Sequence, residues 1–152
     1  LDDYQDYQII FTYSNSDTNS QIIIKRIQEY VDKNQGRCMF IPSLGQRRYF
    51  SALKHMTAVI GNSSSGIIEV PSFGIPTLDI GDRQKGRIAA DSVIHCGYSK
   101  EEIKEGLKMV VAYGHKTIDN PYYKEGTCDA ILKVIKTYPL EKLVQKHFYD
   151  TL

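Results

Sequence analysis

With 152 residues, 41% of them hydrophobic and 24% charged, the chain is long enough for a globular domain with its own core. A formal net charge of +1 gives no electrostatic case for nucleic acid or an acidic membrane surface, and no apolar run approaches the length of a bilayer span. Cys38, Cys96 and Cys128 are odd in number, widely spaced and without metal-ligand spacing, so they read as reduced thiols packed as small hydrophobes in a cytoplasmic protein. The chain opens on Leu1 rather than Met, its first residues show no signal-peptide pattern, and they lead at once into an apolar run. It therefore reads as a piece of a longer polypeptide.

Residues 7–13 form a β-branched and aromatic run, the signature of a strand. Ser14, Asn15, Ser16 and Asp17 follow as turn and cap residues. The spacing of Ile23, Ile27, Tyr30 and Val31 predicts a helix that closes near Gly36. Residues 37–41 are a second strand, Pro42-Ser43-Leu44-Gly45 a turn, and residues 48–55 a second helix. A third strand over 57–60 feeds a serine-rich turn and a third helix running to about Phe73. Residues 75–80 read as a fourth strand, with Pro76 tolerable near its start. A loop over 81–87 and a short fifth strand over 92–95 come next. Ser99 and Glu102 make a capping box before a helix with Ile103, Leu107, Val110 and Val111 on one face. Asn120-Pro121 breaks the chain. A last helix carries Ala130, Ile131, Val134 and Ile135, Pro139 ends it, and residues 140–152 read as a short tail helix.

This alternation of strand and helix argues for an α/β fold with a Rossmann-like parallel sheet covered on both faces, in three layers. Ligands of such sheets bind beyond the carboxyl ends of the strands. Asn15, Leu44, Ser63 to Ser65 and the 81–87 loop all fall at that edge.

The turn Gly61-Asn62-Ser63-Ser64-Ser65-Gly66 offers hydroxyls and uncrowded N–H groups at a helix start, which suits an anion. Glu69 lies one helical turn past Ser65, a lone carboxylate in an apolar stretch. A phosphate on the turn and ribose hydroxyls on Glu69 would together accommodate a nucleotide. The plain alternative is a serine N-cap with no ligand. In the loop Gly81-Asp82-Arg83-Gln84-Lys85-Gly86-Arg87, Arg83 is the candidate phosphate partner because its planar fork matches phosphate oxygens. Lys85 and Arg87 alternate with it. The alternative is a solvated loop. The charges of 100–108 read as a solvated helix face. His55 and His95 read as packing or solvent residues.

The two motifs Gly61-Asn62-Ser63-Ser64-Ser65-Gly66-Ile67-Ile68-Glu69-Val70-Pro71 and Gly81-Asp82-Arg83-Gln84-Lys85-Gly86-Arg87, in this order, resemble the hydrolysing UDP-N-acetylglucosamine 2-epimerases. The nearest branch is that of bacterial sialic and related nonulosonic acid synthesis. Residues 11–17, the Ser43-Leu44 turn and Asn120-Pro121-Tyr122-Tyr123-Lys124-Glu125-Gly126 support the match. The resemblance implies the C-terminal half of a glycosyltransferase-B-like fold, residues 1–152 being one UDP-binding domain, with the UDP-sugar held between two halves. By motif, Ser63 and Ser64 would bind the diphosphate with the N–H groups of Ser65 and Gly66. Glu69 would hold the ribose, Arg83 would sit near the phosphates and uridine, and Asn15 and the Leu44 backbone would contact the nucleotide, Leu44 beside the uracil. Gln84 would be a neighbour.

The resemblance further implies that catalytic acids and bases lie in the N-terminal half, so that this chain alone is inactive. Its share of the chemistry would be leaving-group stabilisation by Ser64 and Arg83. No metal or redox cofactor is implied. The implied partners are UDP or a UDP-N-acetylhexosamine, the missing half and further copies of the enzyme, since such enzymes are often dimers or tetramers. Two rivals use the same features. One is the donor-binding half of a glycosyltransferase, told apart by transfer to an acceptor. The other is a non-catalytic nucleotide-binding module, favoured if no upstream half exists. A dinucleotide dehydrogenase is disfavoured because no Gly-x-Gly-x-x-Gly follows the first strand.

Overall fold

The computed structural model describes residues 1–13, 20–139 and 141, so Asn15 and the expected tail helix lie outside the described residues. The chain divides into two compact units, Leu1–Thr57 and Ala58–Leu152. Both are α/β with parallel strands, as the alternation predicts.

In the first unit, β1 (Ile9–Thr12), α1 (Ser20–Lys33) and β2 (Cys38–Ile41) form a βαβ unit in which Ile9 pairs with Cys38 and Thr12 with Ile41. The Phe11 ring meets Tyr30 edge-on at 6.1 Å, which places α1 on the sheet face that carries Phe11. Arg37 ties the N-terminal segment to α1, donating to the Tyr30 hydroxyl at 2.7 Å and to the Tyr4 carbonyl at 3.3 Å. Helix α2 (Gly45–Leu53) starts three residues earlier than its apolar pattern suggests. The Ser43 hydroxyl accepts the Gly45 N–H at 3.2 Å and lets the turn run straight into the helix.

In the second unit the sheet order is β3 (Val59–Gly61), β4 (Thr77–Ile80), β5 (Val93–Cys96). Successive strand residues point to opposite faces, so the contacts of β4 locate the helices. Thr77 lies against Gly66 of α3 (Ser65–Ile68), where an added Cβ would sit 2.6 Å from the threonine methyl. Leu78, the next residue, lies against Gly106 of α4 (Lys100–Tyr113), where an added Cβ would sit 2.4 Å from a leucine methyl. Both faces are therefore covered, in three layers, with Thr77, Leu78 and Asp79 buried between them.

The helix expected to reach Phe73 instead breaks at Glu69, and a 3₁₀ turn spans Val70–Phe73. Pro71 is the cause. It has no N–H for the carbonyl four residues back, and its ring crowds that carbonyl. Helix α4 carries the expected capping box, with the Ser99 hydroxyl accepting the Glu102 N–H at 3.2 Å and Glu102 accepting the Ser99 N–H at 3.2 Å. Helix α5 (Thr127–Thr137) closes the described fold and buries none of its residues. No helix among the described residues is long and apolar enough to cross a membrane.

Candidate functional site

The carboxyl ends of β3 and β4 deliver the two motifs. β3 ends at Gly61 and turns through Asn62 and Ser63 into α3, while β4 ends at Ile80 and enters the 81–87 loop. Gly81 permits that exit with φ +84, its amide donating to the Cys96 carbonyl at 2.8 Å and its Cα packed under the Tyr98 ring. The Tyr98 hydroxyl in turn accepts the Asp82 N–H at 3.1 Å.

One side chain that joins the motifs is that of Gln84. Gln84, 4% exposed, donates from Nε2 to the Asn62 carbonyl at 2.8 Å and accepts from Arg87 at 2.9 Å through Oε1. The cationic loop is thereby fastened to the serine turn, and Arg83 sits on the strap beside Gln84. Lys85 turns instead to Asp82, 3.6 Å away, with both side chains exposed. A surface pair of this kind contributes little to stability.

Within the turn, Ser63 and Ser64 are exposed and Ser65 is half-buried. Ser64 occupies the N-cap of α3 but its side chain makes no capping bond, so the plain capping role does not account for it. The Ser63 hydroxyl accepts the Ser65 N–H at 3.4 Å, a long bond, while the Ser63 carbonyl accepts the Gly66 N–H at 3.0 Å. Gly66 works through packing, since Thr77 donates its hydroxyl proton to the Gly66 carbonyl at 2.7 Å across a gap that admits no side chain. With four residues, α3 also has a smaller dipole than the longer helix expected.

Glu69 stands where α3 gives way to the 3₁₀ turn, and its Oε2 is buried with no hydrogen-bond partner among the described residues. A buried acceptor in that condition is costly and calls for a donor. Leu44 lies in the first unit, at the N-cap of α2 (φ −78°, ψ −22°). The second unit brings together Ser63, Ser64, Ser65, Gly66, Glu69 and the loop carrying Arg83.

Three features escaped the sequence reading. Gln84 is a strap rather than a mere neighbour, and its position between two glycines in a cationic loop was the available signal. Asn120, 8% exposed, donates from Nδ2 to the Ile68 carbonyl at 2.9 Å and to the Ser72 hydroxyl at 2.6 Å, for which only the turn-forming Asn-Pro pair gave notice. His95 lies within β5, opposite Asp79 in register, and its Nδ1 is 2.8 Å from the buried Asp79 carboxylate. Beside it, burial pushes the Cys96 thiol up, and the negative charges of Glu102 and Asp79 push it further.

Comparison with known proteins gives a consistent result. A family model described as UDP-N-acetylglucosamine 2-epimerase matches residues 1–136. The chain is 36% identical over 151 residues to Polysialic acid biosynthesis protein P7 of Escherichia coli, covering 95% of this chain and 38% of that protein. It is 43% identical over 94 residues to the GDP/UDP-N,N'-diacetylbacillosamine 2-epimerase (hydrolyzing) of Campylobacter jejuni, covering 62% and 24%. It is 33% identical over 137 residues to the UDP-N,N'-diacetylbacillosamine 2-epimerase (hydrolyzing) of Legionella pneumophila, covering 90% and 36%. The chain thus spans between 24% and 38% of the length of these relatives.

Proposed function

The chain belongs to the UDP-N-acetylglucosamine 2-epimerase family, and from that premise we propose that it is the UDP-binding half of a hydrolysing UDP-N-acetylhexosamine 2-epimerase acting in sialic or related nonulosonic acid synthesis in the cytoplasm. The observation that carries this reading is Glu69 Oε2, a buried carboxylate oxygen with no donor among the described residues, one turn beyond a serine cluster at the carboxyl edge of a parallel sheet. A ribose hydroxyl supplies the missing donor, and a hydrogen bond to a charged acceptor contributes about 1.5–3 kcal/mol.

In the whole enzyme a base outside this chain removes the C2 proton of the sugar as the bond from C1 to the UDP oxygen breaks. That leaves a 2-acetamidoglycal and UDP. Water then adds its oxygen at C1 and a proton returns to C2 on the opposite face, giving the free 2-epimerised sugar. The work of this chain is done on the leaving group. The Ser63 and Ser64 hydroxyls donate to diphosphate oxygens, as does the Ser65 N–H, whose 3.4 Å bond to Ser63 exchanges readily for a phosphate oxygen. Arg83, carried on the strap that Gln84 fastens to the turn, meets the charge that develops as UDP departs. Donors held in place before that charge appears stabilise the transition state with little reorganisation. The partners are the UDP-sugar, the remainder of the enzyme and further copies of it.

Calorimetric titration with UDP, with AMP as the control nucleotide, tests the reading. UDP-selective binding that is lost in both Arg83→Ala and Ser64→Ala supports it. Equal affinity for UDP and AMP, or binding unchanged in both variants, removes it.

A further inference from the structure

We infer that Asn120 is a positioning residue for the Glu69 carboxylate, an inference that rests on the reading of Glu69 as the ribose acceptor. The backbone explains why such a residue is needed. In a continuous helix the Ile68 carbonyl would accept the N–H of Ser72, four residues on. Because Pro71 forces the 3₁₀ turn, the Ser72 N–H goes to the Glu69 carbonyl instead, at 3.0 Å. The Ile68 carbonyl is left without its helical donor, and Asn120 Nδ2 supplies one at 2.9 Å. The second hydrogen of the same amide goes to the Ser72 hydroxyl at 2.6 Å. One side chain therefore holds the residue before Glu69 and the residue three after it. The Glu69 N–H is fixed separately, to the Ser65 carbonyl at 3.0 Å.

Asn120 is itself held. Its Oδ1 accepts the Tyr122 N–H at 3.0 Å, its carbonyl accepts the Tyr123 N–H at 3.0 Å, and the Tyr122 hydroxyl donates to the Ile88 carbonyl at 2.8 Å. Both N–H donors of the amide and one acceptor site of its oxygen are thus in use, with two donated bonds that a carboxylate could not make. This clasp closes on both sides of Glu69, whose Oε2 is buried and has no hydrogen-bond partner among the described residues.

The test compares UDP with 2′,3′-dideoxy-UDP, which keeps the base and phosphates and lacks the hydroxyls Glu69 would read. Binding is measured by calorimetry on the 152-residue chain, with melting curves alongside. In the unmodified chain UDP is expected to bind about tenfold tighter or more than the dideoxy analogue. Glu69→Ala should bring that ratio close to one. Asn120→Asp and Asn120→Ala should cut it at least threefold, to roughly a third, while leaving dideoxy-UDP affinity near its original value. Ser72→Ala, which removes one of the two clasped acceptors, should give an intermediate ratio and decides the matter if the Asn120 variants melt.

A ratio kept in the Asn120 and Ser72 variants while Glu69→Ala loses it overturns the positioning role and leaves the Glu69 reading intact. A parallel loss of affinity for both ligands in folded Asn120 variants overturns it too, since a purely structural role behaves that way. Absence of discrimination in the unmodified chain, or of UDP binding altogether, overturns the Glu69 reading and this inference with it.

Discussion

Helix α4 places Gly106, Leu107 and Val110 in the core of the second unit, whereas α5 buries none of its residues. The difference is not one of pattern. At helical spacing Ala130, Ile131, Val134 and Ile135 share one side of α5, opposite Asp129, Lys133 and Lys136. Ile131 is 54% exposed and Ile135 65%, while Val110 is fully buried. What separates the helices is attachment. Three residues connect β5 to α4, and Gly106 lets α4 close directly onto Leu78. α5 follows a long irregular stretch over 114–126 and has no such glycine contact with the sheet. Periodicity specifies that a helix forms and which side is apolar; it carries no information on what covers that side.

The sharpest way to break this comparison is to truncate the covered helix. Leu107→Ala should cost about 2–5 kcal/mol in urea unfolding, because the side chain is 6% exposed and leaves a cavity. A cost below about 0.5 kcal/mol would mean that α4 is not packed as described. Gly106→Ala comes next. Its new methyl would sit 2.4 Å from a fully buried leucine methyl, so α4 must lift or Leu78 must leave its rotamer, at about 1–3 kcal/mol. Pairing it with Leu78→Ala should relieve part of that cost, which a double-mutant cycle would read directly.

These contacts mark the limit of what the sequence discloses. Every β-strand and α-helix among the described residues was legible from periodicity and cap signals, because those are properties of short windows. The break at Glu69 was legible in principle, since Pro71 stands in the pattern, but the apolar run Ile67, Ile68 and Val70 argued for continuity. The straps were not legible. Gln84 reaches Asn62 across 22 residues and Asn120 reaches Ile68 across 52. No local pattern names such a partner, because a polar side chain finds its acceptor only after the sheet has brought the loops together. The Asp79–His95 pair was hidden for the same reason, as it depends on the register of β4 against β5.

A third, smaller effect separates the starts of the two helices. α4 begins with the Ser99 capping box, whereas α5 begins at Gly126 with no side-chain cap. Ser99→Ala should cost about 1 kcal/mol at neutral pH. The hydrogen bond from the Ser99 side chain, then that from its backbone, holds the Glu102 carboxyl below its usual range. A carboxyl whose folded value is depressed adds stability above its unfolded value and loses it as pH falls through the folded one. The unmodified chain should therefore shed that contribution on acidification below the usual carboxylate range. Ser99→Ala should show a shallower acid limb, and equal slopes in the two proteins would detach Glu102 from the cap.

The smallest expected effect decides whether the contrast belongs to the chain itself. Ile135→Ala removes an aliphatic side chain from α5 that is 65% exposed, so little burial is lost and no cavity forms. Alanine also has the better helix propensity, which offsets part of what remains. Stability in urea should stay within about 0.5 kcal/mol, against the several expected for Leu107→Ala. A cost near that of Leu107→Ala would show that the α5 face is covered in solution by something these contacts do not include. Repeating the measurement across a range of protein concentrations separates the sources, since cover by a second copy weakens on dilution and cover within one chain does not.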